Sequence, residues 1–101
     1  MPTPVALVTA AADGIGGATA DAFGRAEHRV VAVDINEAGL AARAAASDAE
    51  VETVVADVTD EAASRGAVQA AIDAFGRLDV LVNVVGGSRP GKTVLDLELA
   101  E

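Results

Sequence analysis

The chain has 101 residues and a net charge of −9, which describes one domain with a modest core and excludes a nucleic-acid binder, since its seven Lys and Arg are scattered rather than gathered into a positive face. With no cysteine and a single histidine, His28, there is neither a disulfide nor a zinc centre, so no metal site is expected. Half of the residues are apolar, yet the aromatics are only Phe23 and Phe75, so Ala and Val must build the core, a profile suited to α/β architecture.

Met1-Pro2-Thr3-Pro4 leads straight into an apolar run, without the basic start of a signal peptide or the length of a membrane span. A cytoplasmic chain with no membrane partner is expected. The first element is a strand over Val5 to Thr9, a β-branched run suited to burial on both faces of a parallel sheet. Ala10 to Gly16 follows as a turn of small residues that opens a helix over about Gly14 to Ala26. Ile15, Ala18, Ala22 and Ala26 fall on one stripe beside Phe23, predicting the packed face, while Thr19, Asp21 and Arg25 take the other.

A second strand, Val30 to Asp34, is followed by Asn36 as N-cap of a helix through Leu40 to about Ala46, where Ser47-Asp48 ends it. The third strand covers Val51 to Ala56. Thr59 is the expected N-cap of the next helix, with Asp60 and Glu61 in its first turn, Val68, Ile72 and Phe75 on one face and Gly76 as its stop. A fourth strand spans Val80 to Val85, Gly86 to Lys92 reads as a loop, and Val94 to Glu101 begins another element.

Strands alternating with helices predict βαβ units in a Rossmann-like parallel sheet of order 3-2-1-4, an incomplete doubly wound fold forming one domain over 1–101. Right-handed crossovers then put the first two helices on one face and the third on the other. The winding reverses between strands 1 and 4, and Thr9 to Gly16 and Asn83 to Gly87 arrive at the crevice so formed. Gly14 and Gly16 clear the approach of a pyrophosphate to the N-H groups of the first helical turn. Asp34, at the tip of the second strand, can accept both ribose hydroxyls of adenosine. A glycine turn alone also fits a strand-helix junction with no ligand; the strand before it, the helix after it and Asp34 together favour a dinucleotide. Ala10 stands where the usual first glycine would, and a left-handed Ala10 would carry strain on the order of 1 kcal/mol.

The chain resembles the N-terminal part of the short-chain dehydrogenase/reductase family. Thr9, Gly14 and Gly16 match that family's Thr-Gly-x-x-x-Gly-x-Gly turn, with Ala10 departing from it; Asp57-Val58 matches its Asp-Val pair after strand 3. Asn83-Val84-Val85-Gly86 matches its Asn-Asn-Ala-Gly segment at the first and last positions, and Gly76 to Val82 is similar to its approach to strand 4. The resemblance implies a nicotinamide dinucleotide held by Thr9, Asp13, Gly14, Ile15, Gly16, Asp34, Ile35, Asp57, Val58, Asn83 and Gly86. NAD is the expected cofactor rather than NADP, because Asp34 would face the extra phosphate and Asp13 stands where NADP-preferring relatives often carry a basic residue; Arg25, Arg29 and Arg43 are the groups that could offset this.

The resemblance further implies hydride transfer between the nicotinamide and an alcohol or ketone in a complete protein acting on a small molecule. The family's catalytic Tyr has no counterpart, because the chain contains no tyrosine, and neither its Ser nor its Lys is matched. No catalytic residue carries over and the chain alone is expected to be inactive. The apolar Val80-Leu81-Val82 edge predicts a fragment, a truncated product, or a chain that pairs with a second copy or a longer homologue. Two other readings remain at this point: a noncatalytic NAD-binding or interaction module, and part of an adenosylmethionine-dependent methyltransferase.

Overall fold

A computed structural model describes residues 2–84. Its elements alternate as β1 (Val5–Thr9), α1 (Gly14–Arg25), β2 (Arg29–Asp34), α2 (Glu37–Ala46), β3 (Val51–Val55), α3 (Glu61–Phe75) and β4 (Val80–Val82). All neighbouring strands are parallel, in the order β3-β2-β1-β4, which is the expected Rossmann-like sheet. Gly86, the loop to Lys92 and the segment Val94 to Glu101 lie outside the described residues.

Strand alternation divides the core in two. Val8, Val30 and Ala32 pack with Ala20 of α1 and Leu40 of α2 on one face. Val5, Leu7, Val31 and Val33 pack with Ala67 and Ala71 of α3 on the other. Both central strands are therefore covered on both sides, which is why their runs are continuously apolar. The expected placement of the first two helices on one side of the sheet and the third on the other agrees with this layering.

The face of α1 differs from the expected stripe. Gly16, Gly17 and Ala20 are its buried residues, whereas Ile15 is 68% exposed and Ala18, Ala22 and Ala26 are exposed too. Contact distance explains the difference. A side chain at Gly16 would place its Cβ 2.1 Å from the Ala10 carbonyl oxygen, so the helix turns its smallest residues inward and approaches the β1–α1 turn more closely than an Ile stripe would allow. On α3 the innermost residues are likewise Ala67 and Ala71, and Ile72 is 40% exposed.

Helix ends follow local hydrogen bonding. The Asn36 side chain accepts from Gly39 N at 3.0 Å, capping α2 as expected. At α3 the cap is Asp60, which accepts from Ala62 N at 2.9 Å, and not Thr59. Thr59 is drawn backward, its N-H and hydroxyl both bonding Asp57 Oδ1. Gly76, with φ 77°, ends α3 in the left-handed region.

β4 is pinned at its start. Asp79 N donates to Val5 O at 2.9 Å, Val5 N donates back to Asp79 Oδ2 at 2.8 Å, and Arg77 grips both carboxylate oxygens at 2.8 and 2.6 Å. This fork, with the Val5 N-H second, holds the Asp79 carboxyl below its ordinary value of 3.8. Beyond the pin, Leu81 is 57% exposed on the open edge. No helix among the described residues is long and apolar enough to cross a membrane.

Two expected outcomes follow from this packing. Gly16→Ala should destabilise the chain by about 1–3 kcal/mol, the usual range for forcing atoms into a packed space, while Gly66→Ala, on the exposed side of α3 with nothing within 4 Å of its Cβ position, should stabilise it by about 1 kcal/mol. Urea midpoints of the two variants would show opposite signs. For Asp79 the carboxyl is lowered on folding, so its contribution is present above its unfolded value and lost as pH falls through the folded one. Asp79→Ala should therefore be less stable than the parent at pH 7, with the gap closing on acidification; a gap independent of pH in a urea series would contradict this.

Candidate nucleotide-binding turn

The carboxyl ends of β1, β2 and β4 come together where the sheet's winding changes direction. The chain leaves β1 through Ala10, whose φ of 52° is left-handed, so the strain expected for an alanine in place of glycine is present. Ala11 N then bonds Val33 O at 3.0 Å, carrying the β1–β2 ladder one step further. Gly14, with φ 64° and open space where a Cβ would stand, begins α1. Asp13 is the helix N-cap, exposed, and makes no side-chain capping bond.

Asp34 organises the turn. Its Oδ2 accepts from Ala12 N and its Oδ1 from Asn36 N, each at 3.0 Å. A carboxylate offers about four acceptor positions, so two remain on this half-exposed side chain for a ligand's hydroxyls. Ile35, beside it, is 69% exposed, and Ile15 stands similarly open at the start of α1.

Thr9 has a different setting. It is only 5% exposed, and its hydroxyl donates to Val84 O at 2.7 Å, with Asn83 Oδ1 at 3.2 Å from the same oxygen. A hydroxyl has one proton, and the shorter contact takes it. Thr9 thus ties β1 to the exit of β4 at Val84, beside Asn83, rather than presenting its own side chain to the crevice.

Asp57 is exposed after β3. Thr59 donates to it from its hydroxyl at 2.6 Å and its N-H at 3.0 Å, and these bonds, the hydroxyl foremost, hold its carboxyl below the ordinary carboxylate range. Val58 packs half-buried against the α3-side core. The structure therefore joins Thr9 with Asn83, and Asp34 with the turn ahead of Gly14, Ile15 and Gly16, while Asp57 forms a turn of its own. Gly86 lies outside the described residues.

Three participants carried no sequence signal as such. Ala12 is buried, and both of its polar backbone atoms are held by side chains. Arg43 donates to Ala12 O at 3.1 Å and to Asp21 Oδ2 at 2.7 Å. Asp21 and Arg43 are separated by a whole strand, so only the packing of α1 beside α2 reveals the pair. Arg29 is likewise engaged, with Glu50 at 3.1 Å and over the Phe75 ring at 5.5 Å.

Known proteins share this architecture. The model of the short chain dehydrogenase family matches residues 4–101. The D-threitol dehydrogenase of Mycolicibacterium smegmatis is 42% identical over 88 residues, 84% of this chain and 34% of that protein. Among solved structures, a 3-ketoacyl-(acyl-carrier-protein) reductase from Brucella melitensis complexed with NADH aligns with TM-score 0.77 at 40% identity, over 84% of this chain and 35% of that one. An actinorhodin polyketide ketoreductase with NADPH aligns with TM-score 0.77 at 32% identity, over 90% of this chain and 36% of that one. The chain spans about a third of the length of these relatives. On the family match over nearly its whole length, the chain belongs to the short chain dehydrogenase family.

Proposed function

We propose that this chain is the NAD-binding portion of an oxidoreductase which, at the family's full length, transfers hydride between the nicotinamide and an alcohol or ketone carbon of a small molecule. The observation that carries the reading is the Asp34 carboxylate, bonded to the turn through Ala12 N at 3.0 Å and retaining free acceptor positions. Those positions suit the paired hydroxyls of an adenosine ribose. The pyrophosphate would lie over the start of α1, where Gly14 leaves open space and first-turn N-H groups lack helical partners. Ile15 and Ile35 are apolar surface that a bound nucleotide would cover. The nicotinamide, when bound, supplies or accepts the hydride; this chain's residues hold and orient the cofactor's adenosine side.

Relatives bind NADH in one case and NADPH in another, so the preference is argued from charge. A 2′-phosphate about 4 Å from Asp34 would be repelled by roughly 4 kcal/mol at an effective dielectric of 20, about a thousandfold in affinity before screening. Arg43 and Arg29 are both committed to carboxylates, Asp21 and Glu50, which leaves them poorly placed to offset that repulsion. NAD is the cofactor these charges support. Asp13, exposed in the turn itself, adds to the same sign.

Calorimetric titration of the chain with NADH, NADPH and adenosylmethionine tests the reading, with NADH expected to bind most tightly. Asp34→Ala should weaken NADH by about tenfold, the loss of a charge-assisted hydrogen bond, and narrow the preference over NADPH. A folded chain that binds no NADH, or an Asp34→Ala variant with unaltered discrimination, would count against it.

A further inference from the structure

We propose that Arg43 is a positioning residue for the nucleotide turn, governing through Ala12 how firmly Asp34 is presented to the ribose; the proposal rests on the cofactor reading above. Arg43 sits in α2, after Asp34 in the chain, yet its guanidinium reaches back across the start of α1. One nitrogen meets Asp21 Oδ2 at 2.7 Å and another meets Ala12 O at 3.1 Å. The pair is substantially covered, with the two side chains 25% and 35% exposed.

The consequence lies at Ala12. Its N-H is held by Asp34 and its carbonyl by Arg43, so a single residue of the turn is clamped between an acid on β2 and a base on α2. Because the peptide is planar and trans, a carbonyl directed at Arg43 sends the N-H of Asp13 the opposite way. Arg43 thereby sets the orientation of the last peptide before the helix N-terminus. Releasing the carbonyl would let Ala12 rock about its remaining bond, and Asp34 with it.

Gly17 supplies an independent observation. A Cβ there would stand 2.4 Å from Arg43 Nη2 and 2.6 Å from Cζ, and the three nearest atoms all belong to Arg43. Glycine is a poor helix former, and here it occupies the interior of α1. The room it leaves is filled by the guanidinium, so the seat for Arg43 is built at the expense of local helix propensity. Asp21 then neutralises the charge, and the guanidinium serves as a donor to the turn instead of a free cation inviting phosphate.

The test uses the full chain with Arg43→Met, which keeps the length of the side chain and removes its donors, and Gly17→Ala, which displaces the guanidinium while improving the helix. Each should weaken NADH by about tenfold, as expected for one charge-assisted hydrogen bond, and narrow the NADH preference over NADPH. The double variant should be no weaker than Arg43→Met alone, since both changes remove one interaction. Gly17→Ala should retain the parent's melting temperature, which separates positioning from a general loss of stability. Amide exchange at Ala12, measured without nucleotide, should quicken in both variants. Unchanged NADH affinity in either variant, or unchanged exchange at Ala12, overturns the proposal. A parent chain that binds no NADH overturns the cofactor reading instead, and the exchange rates still decide the role of Arg43.

Discussion

The chain passes from β1 into α1 through a space with no room for a side chain, and the rest of the molecule is arranged around that passage. A Cβ at Gly16 would collide with the Ala10 carbonyl, so the first turn of α1 lies directly on the backbone that precedes it. This close approach brings the helix N-terminus to the carboxyl end of the sheet, where its unpaired N-H groups face the crevice. Ala10 accepts a left-handed φ of 52° to make the turn, at a cost on the order of 1 kcal/mol. A buried, doubly covered central strand pair is sufficient to hold that strain.

Charge is deployed locally in a chain that is acidic overall. Asp34 binds backbone N-H groups on both sides of the β2 exit, Asp57 closes its turn on Thr59, and Asp79 locks the entry of β4 to β1. In each case a carboxylate replaces water as the acceptor for backbone that the sheet leaves unpaired. The cations Arg29 and Arg43 are drawn to acids more than twenty residues away in the chain, Glu50 and Asp21, and Arg77 to Asp79 within its own connection. Asp34 and Asp13 keep acid at the β1–α1 turn, and that sign is the basis of the proposed preference for a cofactor without the extra phosphate.

The strands were legible because a sheet buried on both faces writes itself as continuous Val and Ala, and β1 is found over the residues its pattern predicts. The α2 cap at Asn36 was legible for a local reason, a side chain three residues from the N-H it accepts. The α1 face was not. Hydrophobicity singled out Ile15, Ala18, Ala22 and Ala26, but the surface that meets the turn needed smallness more than greasiness, and Gly16, Gly17 and Ala20 took it. At α3, Thr59 and Asp60 are both fair caps by type; the presence of Asp57 as a competing acceptor decided between them.

The chain's residue order determined the element sequence, the parallel sheet and the glycine turn followed by Asp34, because each depends on short-range periodicity or on residue types a few positions apart. Tertiary structure decided the rest. Thr9 turned toward Val84, Ala12 was clamped between Asp34 and Arg43, and Gly17 became a seat for a guanidinium, all through partners tens of residues apart. Such contacts depend on the distance between packed helices and strands, a quantity no linear pattern of hydrophobicity records.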